Sequence, residues 1–389
     1  MHFPILPVSY NIPMATINAS KYKIYKNNSK KDSTAGFQAA LKAAKGGTLN
    51  IPKGTYYIKK TLVIYSNTVI NGNDCTFQRL SGFKASFMAT RVSGDMKTGG
   101  YNGHHDITVN NIIFDSKNAK AKGNMFTTVH SKNITVKNCK FYTCYGYHAI
   151  EFNSSNNCKA INCTFRGHKK IASSDGKEFI QIDVARPGSS TGKTDGTMAK
   201  NITVSGCTFN SDSRGNPAAE VAVGSHSATS GKYYTGIVIT NNTFNSNTRY
   251  SIRSLNWSGA VIENNTFAPS SSALSHIKLR NSKSTTIKNN TFNSTPTGIH
   301  IAESSSSTTI TSNRFHKNKY AVHCAQVSTI TATLNYFDNS PSYFYFTSKP
   351  TFKNNLLFNS AFKVDGTATS HILAPNIVLG YKTPVPTPV

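Results

Sequence analysis

The chain has 389 residues, 43 Lys and Arg against 16 Asp and Glu, and a formal net charge of +27. The sequence shows no long apolar run, no Cys/His metal spacing and no nucleic-acid-binding module, so we expect no membrane insertion, metal, cofactor or nucleic-acid partner. The charge favours a polyanionic partner, with an acidic polysaccharide preferred, although a general solubility property would explain it equally well.

The N-terminal part reads as an arm followed by a helix. Residues 1–30 are rich in Lys, Asn and Tyr, and Met1 to Tyr10 lack the basic and apolar regions of a signal peptide. A helix is predicted over about residues 33–45, capped by Asp32 or Ser33 and ended by Gly46 and Gly47. Its apolar face would close the end of the fold that follows, and consists of Phe37, Ala40, Leu41 and Ala44.

A recurring phrase organises the rest of the chain. It pairs β-branched residues two apart with an Asn-Asn-Thr-Phe or Cys-Thr-Phe ending, and late in the chain the closing Phe recurs every 22 to 25 residues. A period of this length indicates a solenoid, and its short strands leave no room for a helix. The fold class predicted is therefore all-β, a parallel β-helix with an N-terminal capping helix. The closing residues are Phe77, Phe114, Phe141, Phe165, Phe209, Phe244, Phe267, Phe292, Phe315 and Phe337.

Two positions before each Phe lies a column that changes from thiols to amides along the chain. The Asn side chains are predicted to stack and hydrogen-bond from coil to coil, beside a stack of the Phe rings. The cysteines of this column are predicted to be small buried residues rather than disulfide partners. The column reads Cys75, Ile112, Cys139, Cys163, Cys207, Asn242, Asn265, Asn290, Asn313 and Asn335.

The predicted domain organisation is an arm over 1–30, a β-helix over 31–375 and a Pro-rich tail or linker over 376–389. Insertions interrupt the period at 91–105, 167–177 and 186–199. Because insertions in a solenoid cluster on the binding face, coils between about 90 and 235 are nominated as the working region.

Residues 46–58 carry a specific resemblance. A helix followed by Gly-Gly-Thr-Leu-Asn-Ile-Pro-Lys-Gly-Thr-Tyr-Tyr-Ile resembles the start of the pectin-lyase-like superfamily of right-handed β-helices. That superfamily includes pectate lyases, polygalacturonases, tail-spike depolymerases and epimerases. The resemblance implies a right-handed, secreted or cell-surface protein of carbohydrate chemistry, but the fold hosts several reactions and some non-enzymes.

A second strand precedes the phrase in most coils, and its outward residues form a predicted ledge. Aligning the buried Ile150, Ile180, Val221, Ile252 and Ile277 places carboxylates on neighbouring coils, followed by cations. Closely spaced carboxylates raise one pKa toward general-acid use. The predicted catalytic residues are Asp183, Glu151 and Glu220, with His148 and His226 as proton shuttles or backbone-satisfied turn residues. The predicted substrate-binding residues are Gln181, Asn153, Arg253, Lys278 and Arg280.

The resemblance extends to part of this ledge. Polygalacturonase-type hydrolases carry Asn-Thr-Asp, Asp-Asp, Gly-His-Gly and Arg-Ile-Lys on successive coils. Ile180 to Asp183 resembles the first motif, Val223 to His226 the third, and His276-Ile277-Lys278 the last. The Asp-Asp pair has no counterpart here and the Gly-His-Gly motif is incomplete, so the resemblance implies a related glycan site rather than that one activity.

Three functions remain open from the sequence. The first is a secreted enzyme, a glycoside hydrolase or a metal-free polysaccharide lyase, that cleaves an acidic polysaccharide as a monomer. The second is a non-catalytic surface adhesin that binds acidic glycans through its basic face. A phage-type tail-spike is the third, and it ranks last because no trimerisation segment is evident.

Overall fold

A computed structural model describes residues 15–380 and 385, apart from 81, 84, 91–94, 118, 120, 170–176, 187–191, 246–248, 346–348 and 367–371. Three predictions therefore fall wholly or partly outside the described residues. They concern the missing signal sequence in Met1 to Tyr10, the three insertions and the Pro-rich end. In the described part, parallel strands form two sheets of 26 and 12 strands that wind as a β-helix, which confirms the predicted fold class.

The larger sheet, called sheet 1, takes one to three strands from each coil. Its strands are Thr16–Asn18, Thr48–Asn50, Thr55–Ile58, Thr68–Arg79, His105–Asp115, Lys132–Lys137, Lys140–Tyr145, Asn156–Ile161, Thr164–Lys169, Lys200–Ser205, Thr208–Asn210, Tyr234–Thr235, Val238–Thr240, Thr243–Phe244, Trp257–Ser258, Val261–Glu263, Thr266–Phe267, Thr286–Lys288, Thr291–Asn293, Ser306–Thr311, Arg314–His316, Ser328–Thr333, Tyr336–Asp338, Thr351–Lys353, Leu356–Phe358 and Ile377–Leu379.

The smaller sheet, called sheet 2, takes one strand from each of twelve successive coils, in chain order. Its strands are Leu62–Val63, Met88–Ala89, Phe126–Val129, Ile150–Asn153, Glu178–Asp183, Val221–Gly224, Tyr250–Arg253, Ser275–Arg280, Thr297–Ala302, Tyr320–Ala325, Ser342–Tyr345 and Phe362–Asp365.

The helix Thr34–Ala43 lies at the N-terminal end and is three residues shorter than the predicted 33–45. The side chain of Asp32 accepts a hydrogen bond from the Thr34 backbone N–H at 2.9 Å, as expected of a capping residue. Phe37 is fully buried and stands edge-on to Tyr56 and Phe77, with ring centroids 5.0 Å apart in both pairs. The helix therefore covers the first coil, and a short 3-10 helix, Ala19–Lys21, precedes it.

Sheet 1 extends beyond the boundaries expected for the β-helix. The strand Thr16–Asn18 lies in the segment expected to be a separate arm, and it pairs with Thr48–Asn50. At the other end, the strand Ile377–Leu379 lies in the segment expected to be a tail, and it pairs with Leu356–Phe358. Both segments supply edge strands that cover backbone groups of the neighbouring coil.

The amide column is a continuous ladder, as predicted. The Oδ1 of Asn290 accepts the backbone N–H and the Nδ2 of Asn265 at 2.9 and 3.0 Å, and the Nδ2 of Asn265 also donates to the Ile239 carbonyl. The pattern repeats from coil to coil and reaches two residues beyond the predicted column, Asn355 and Asn376. Each rung satisfies buried polar groups of two coils at once.

The Phe column also stacks as predicted. From Phe114 to Phe337 successive rings lie nearly parallel, with centroids 4.7 to 5.0 Å apart. This spacing matches the separation of neighbouring strands, so the ring stack follows from the register of sheet 1. The seven cysteines are buried and form no disulfide, which agrees with their expected role as small core residues.

Candidate functional site

The register of sheet 2 determines which predicted side chains meet. Ile150 pairs with Ile180, and Ile180 pairs with Val223 rather than with Val221. The prediction was therefore wrong by two residues on the strand Val221–Gly224, where Ala222 is buried in the core and does not face outward. Along the outer face, the corrected row of neighbours is Glu151, Gln181, Gly224, Arg253 and Lys278.

Strict alternation fails on several strands of sheet 2, and two of these strands carry site residues. Phe179 and Ile180 are consecutive residues, yet both lie in the core, and Ala149 and Ile150 do the same one coil earlier. The residue before each pair, His148 or Glu178, therefore reaches the side chains of the outer row. The resulting sheet-2 cluster consists of His148, Glu151, Glu178, Gln181, Asp183, His226 and Arg253.

Glu178 lies at the centre of the sheet-2 cluster, and its side chain is fully buried. Its Oε1 accepts a hydrogen bond from Arg253 Nη2 at 2.5 Å, and both carboxylate oxygens lie 3.1 Å from His226 Nδ1. Burial alone would raise the pKa of Glu178. The hydrogen bond and charge of His226, together with His148 and Arg253, outweigh burial and lower this pKa to about 2. Glu178 is therefore held as a buried carboxylate anion.

The pKa of Asp183 is shifted in the opposite direction, above its ordinary value. Its Oδ1 accepts from the Ser227 backbone N–H and the Tyr234 hydroxyl, both at 3.0 Å, and its Oδ2 accepts from Gln181 Nε2 at 2.7 Å. Burial raises the pKa of Asp183, and the negative charge of Glu178 adds to the rise, against the lowering effect of His226. A protonated carboxyl at this position would be a proton donor.

Glu151 is the third carboxyl group of the cluster and lies partly open to solvent. Its Oε1 accepts from Asn153 Nδ2 at 2.8 Å, and its Oε2 accepts from Asn124 Nδ2 at 2.5 Å and from the Thr127 hydroxyl at 3.3 Å. Burial raises the pKa of Glu151, and the charge of Asp183 acts in the same direction. Asn153 thus supports Glu151 from two positions along the same strand.

The two histidines differ in exposure. His226 follows the strand Val221–Gly224, and 28% of its side chain is exposed, compared with 5% for His148 and 11% for Arg253. Burial would lower the pKa of His226, but the hydrogen bond and charge of Glu178 and the charge of Asp183 raise it. His148 is buried, its Nδ1 lies 3.0 Å from the Glu178 carbonyl oxygen, and burial lowers its pKa to about 3. His226 suits proton transfer, whereas His148 is a neutral structural partner.

Four predicted residues lie outside this cluster, namely Asn153, which donates to Glu151, and the three that follow. Lys278 is the register partner of Arg253 on the next coil and is half-buried, and burial lowers its pKa. Arg280 donates from Nε to both oxygens of Glu303 at 2.8 Å. Glu220 precedes the strand Val221–Gly224, and the corrected register gives the outer position of that strand to Gly224.

Sequence reasoning missed Glu178 and Tyr234 as members of the site. Glu178 was visible as one of only 16 acidic residues, but strict alternation from Ile180 places it on the core side. Tyr234 lies 51 positions from Asp183, and no local pattern links the two residues.

The arrangement can carry out acid–base chemistry. It combines one carboxylate held ionised, two carboxyl groups with raised pKa values and a partly exposed histidine. Within the described residues, no group of three or more His, Cys, Asp or Glu side chains is arranged to hold a metal ion. In that same part of the chain, no helix is long and apolar enough to cross a membrane.

The chain is similar to several known β-helix proteins. A 256-residue stretch is 26% identical to the plasmin and fibronectin-binding protein A of Streptococcus pneumoniae and covers 59% of this chain. That stretch spans about a third of the curated relative, 35% of its length. The structure of the Streptococcus pneumoniae surface protein and adhesin PfbA has a TM-score of 0.70 at 20% identity, covering 95% of this chain and 98% of that one.

Two enzymes share the architecture at lower identity. The A-module of the Azotobacter vinelandii mannuronan C-5 epimerase AlgE4 has a TM-score of 0.69 at 10% identity, covering 93% of this chain and all of that one. A Yersinia enterocolitica family 28 exopolygalacturonase has a TM-score of 0.60 at 12% identity, covering 96% and 79%. These likenesses show the fold.

Two family profiles match the sequence itself. One is described as a right-handed beta helix region and matches residues 192–361. The other, described as rhamnogalacturonase A/epimerase, pectate lyase-like, matches residues 16–216 and so covers just over half of the chain. Together with the fold, this match confirms the resemblance noted at residues 46–58. The chain belongs to the rhamnogalacturonase A/epimerase, pectate lyase-like family of right-handed β-helix proteins.

Proposed function

We propose that this protein is a secreted or cell-surface enzyme that cleaves an acidic polysaccharide on the outer face of sheet 2. The observation that carries the proposal is the sheet-2 cluster, in which neighbouring carboxyl groups have pKa values shifted in opposite directions. Glu178 is held ionised, whereas the pKa values of Asp183 and Glu151 are raised. Paired groups separated in this way are typical of acid–base catalysis on glycosidic bonds.

The cluster supports two reaction classes. In a hydrolase, Glu151 or Asp183 would protonate the leaving glycosidic oxygen while a second carboxylate assists water or the sugar carbon. In a lyase, His226 would remove a proton from the sugar carbon next to the uronate carboxylate, whose charge Arg253 would neutralise. The glycosidic carbon–oxygen bond on the adjacent carbon would then break as the double bond forms, and Glu151 would give a proton to the departing oxygen. His226 and Glu151 are partly exposed, so both reactions have an accessible group at the surface.

The charge of the sheet-2 face favours an anionic substrate. Arg253 and Lys278 are register neighbours on successive strands spaced about 4.8 Å apart, and the Arg253 guanidinium also pairs with Glu178. Their row continues directly from Glu151 and Gln181. A uronate or sulfate group on the substrate would meet these cations close to the acid–base cluster.

A panel of acidic polysaccharides tests the proposal, read both for new reducing ends and for absorbance from unsaturated elimination products. We expect the purified protein to release products, and Asp183→Asn or Glu151→Gln to slow their release by a factor of about 100 or more. Glu263→Gln is the matched control, because its carboxylate pairs with Lys288 on sheet 1. If both site variants cleave at the unaltered rate, the assignment of roles is wrong.

A non-catalytic adhesin is the second candidate. It is supported by the similarity to a pneumococcal protein described as a surface protein and adhesin. It is supported also by the burial of Glu178 and Asp183, whose side chains are 0% and 2% exposed. An adhesin would bind acidic glycans as a monomer, its binding would weaken steeply with added salt, and it would release no product after long incubation.

A further inference from the structure

Tyr147 lies between two lysines at the edge of the sheet-2 cluster. The Nζ of Lys122 is 5.1 Å from the centroid of the Tyr147 ring, and the Nζ of Lys177 is 5.7 Å from it. Lys122 is exposed, and Tyr147 and Lys177 are partly exposed. Within the described residues, neither the Lys122 nor the Lys177 ammonium group forms an ion pair with a carboxylate. Two lysine side chains beside one aromatic ring form a small positive patch with an apolar surface.

The backbone of Tyr147 is held from several directions. Its carbonyl oxygen accepts a hydrogen bond from His168 Nε2 at 2.8 Å, and the preceding Gly146 N–H donates to the Lys169 carbonyl at 3.0 Å. On the other side, the His148 N–H donates to the Asn124 side chain at 3.0 Å. Because these contacts come from neighbouring coils, the backbone that carries the ring is fixed before any ligand arrives, which reduces the entropy lost on binding.

The patch adjoins the acid–base groups. Tyr147 directly precedes His148, whose ring centroid lies 5.9 Å from that of His226. Lys177 directly precedes Glu178, and its charge acts to lower the pKa of both His148 and His226. A bound anion at Lys177 would therefore lie at the rim of the cluster. Lys278 lies three strands further along sheet 2.

We propose that Tyr147, Lys122 and Lys177 form a subsite for one uronate residue of an acidic polysaccharide. The sugar ring would lie against the Tyr147 ring, and its carboxylate would be held by the two ammonium groups. This inference rests on the proposed function, because the same polysaccharide would then cross His226 toward Arg253 and Lys278. The substrate would be gripped on both sides of the acid–base groups, as cleavage within a polymer requires.

Equilibrium binding of short oligosaccharides tests the subsite. Calorimetry would compare tetragalacturonate and tetramannuronate with fully methyl-esterified tetragalacturonate, which keeps the sugar rings and lacks the charge. The Lys122→Ala/Lys177→Ala double variant should weaken binding of at least one charged oligomer about tenfold and reduce its salt dependence. Tyr147→Ala should weaken binding similarly, whereas Tyr147→Phe, which keeps the ring, should bind normally.

The matched control is Lys137→Ala/Lys159→Ala, which removes the same charge from two strands of sheet 1. Equal losses in the two double variants would overturn the subsite, as would undetectable binding of both charged oligomers to the unaltered protein. If binding depends on Lys122 and Lys177 but no polysaccharide is cleaved, the subsite stands and the enzymatic proposal fails. If polysaccharide is cleaved but the Lys122→Ala/Lys177→Ala variant binds the oligomers as tightly as the unaltered protein, the enzymatic proposal stands and the subsite fails.

Discussion

Arg253 donates a hydrogen bond to Glu178 at 2.5 Å, although the two residues are 75 positions apart in the sequence. The β-helix brings them together because Arg253 lies two strands after Glu178 in sheet 2. A fully buried carboxylate is costly unless its charge is compensated, and here a guanidinium and two imidazoles surround it. The pair is thus a central electrostatic contact of the candidate site.

Glu178→Gln should lower stability at neutral pH and remove part of its acid dependence. The ordinary pKa of Glu178 is 4.5 and its folded value about 2, so its stabilisation is present above about pH 4.5 and is lost as the pH falls toward 2. The difference corresponds to about 3 kcal/mol at pH 7. Urea unfolding at pH 7 and pH 3 would measure it.

The same variant should lower the pKa of His226, because Glu178 is the main group that raises it. Proton NMR of the imidazole would follow this change. Glu303→Gln is a suitable control, since its carboxylate is 45% exposed and its pairing with Arg280 is worth under about 1 kcal/mol. An unshifted His226 titration in Glu178→Gln would contradict the described contact.

Asn290→Ala should destabilise the protein by about 2 kcal/mol or more. The change leaves the backbone N–H and the Nδ2 group of Asn265 without the oxygen that they share, in a fully buried position. Chemical denaturation would give the free energy of unfolding. Thr266→Ser is the control, because Thr266 is exposed and directly follows Asn265. This change should alter the free energy of unfolding by less than about 0.5 kcal/mol. Similar values for the two variants would argue against the ladder.

Leu334→Asn should stabilise the protein. Leu334 has a backbone φ of 58° and an exposed side chain, and it occupies the bend position at which other coils place Asn241, Asn264 and Asn289. Leucine pays about 1 kcal/mol in this left-handed conformation, and Asn tolerates it better. Thermal unfolding should show a higher midpoint. Leu274→Asn, equally exposed but outside the left-handed region, should show no such gain.

The seven cysteines should not react with a thiol reagent in the native protein. All are buried and out of reach of a reagent, and burial raises the pKa of Cys144 and of Cys158 to about 12, so these two thiols carry almost no thiolate at neutral pH. A colorimetric thiol assay should count seven groups in denaturant and none without it. Rapid native reaction of even one thiol would show that its coil opens readily.

Much of the fold was predictable because each coil repeats the same local pattern. The Asn-Asn-Thr-Phe phrase encodes a left-handed bend at its first position, a ladder amide at its second and a stacked ring at its fourth, so its repetition fixes the register of sheet 1. Sheet 2 has no such marker. The strand Val221–Gly224 offers Val at both 221 and 223, and only the neighbouring coils decide which of them aligns with Ile180.

The candidate site was partly predictable for the same reason. Glu151, Gln181 and Arg253 each directly follow a buried Ile and were placed on the outer row by alternation, and the structure aligns them there. Glu178 was missed because alternation breaks at Phe179 and Ile180, and this break depends on Phe179 packing beside Phe165 and Phe209. Such packing is a property of three coils and not of one strand.

The inner column changes from thiols to amides partway along the solenoid, so the two parts differ in stiffness. Cysteine bonds weakly to carbonyl groups, so the coils that end at Phe141, Phe165 and Phe209 can differ in length, and most of the candidate site is built on the last two. From Asn242 to Asn376 every amide must meet the next, which imposes a uniform pitch. Six steps of about 4.8 Å make this half a rigid spacer about 30 Å long.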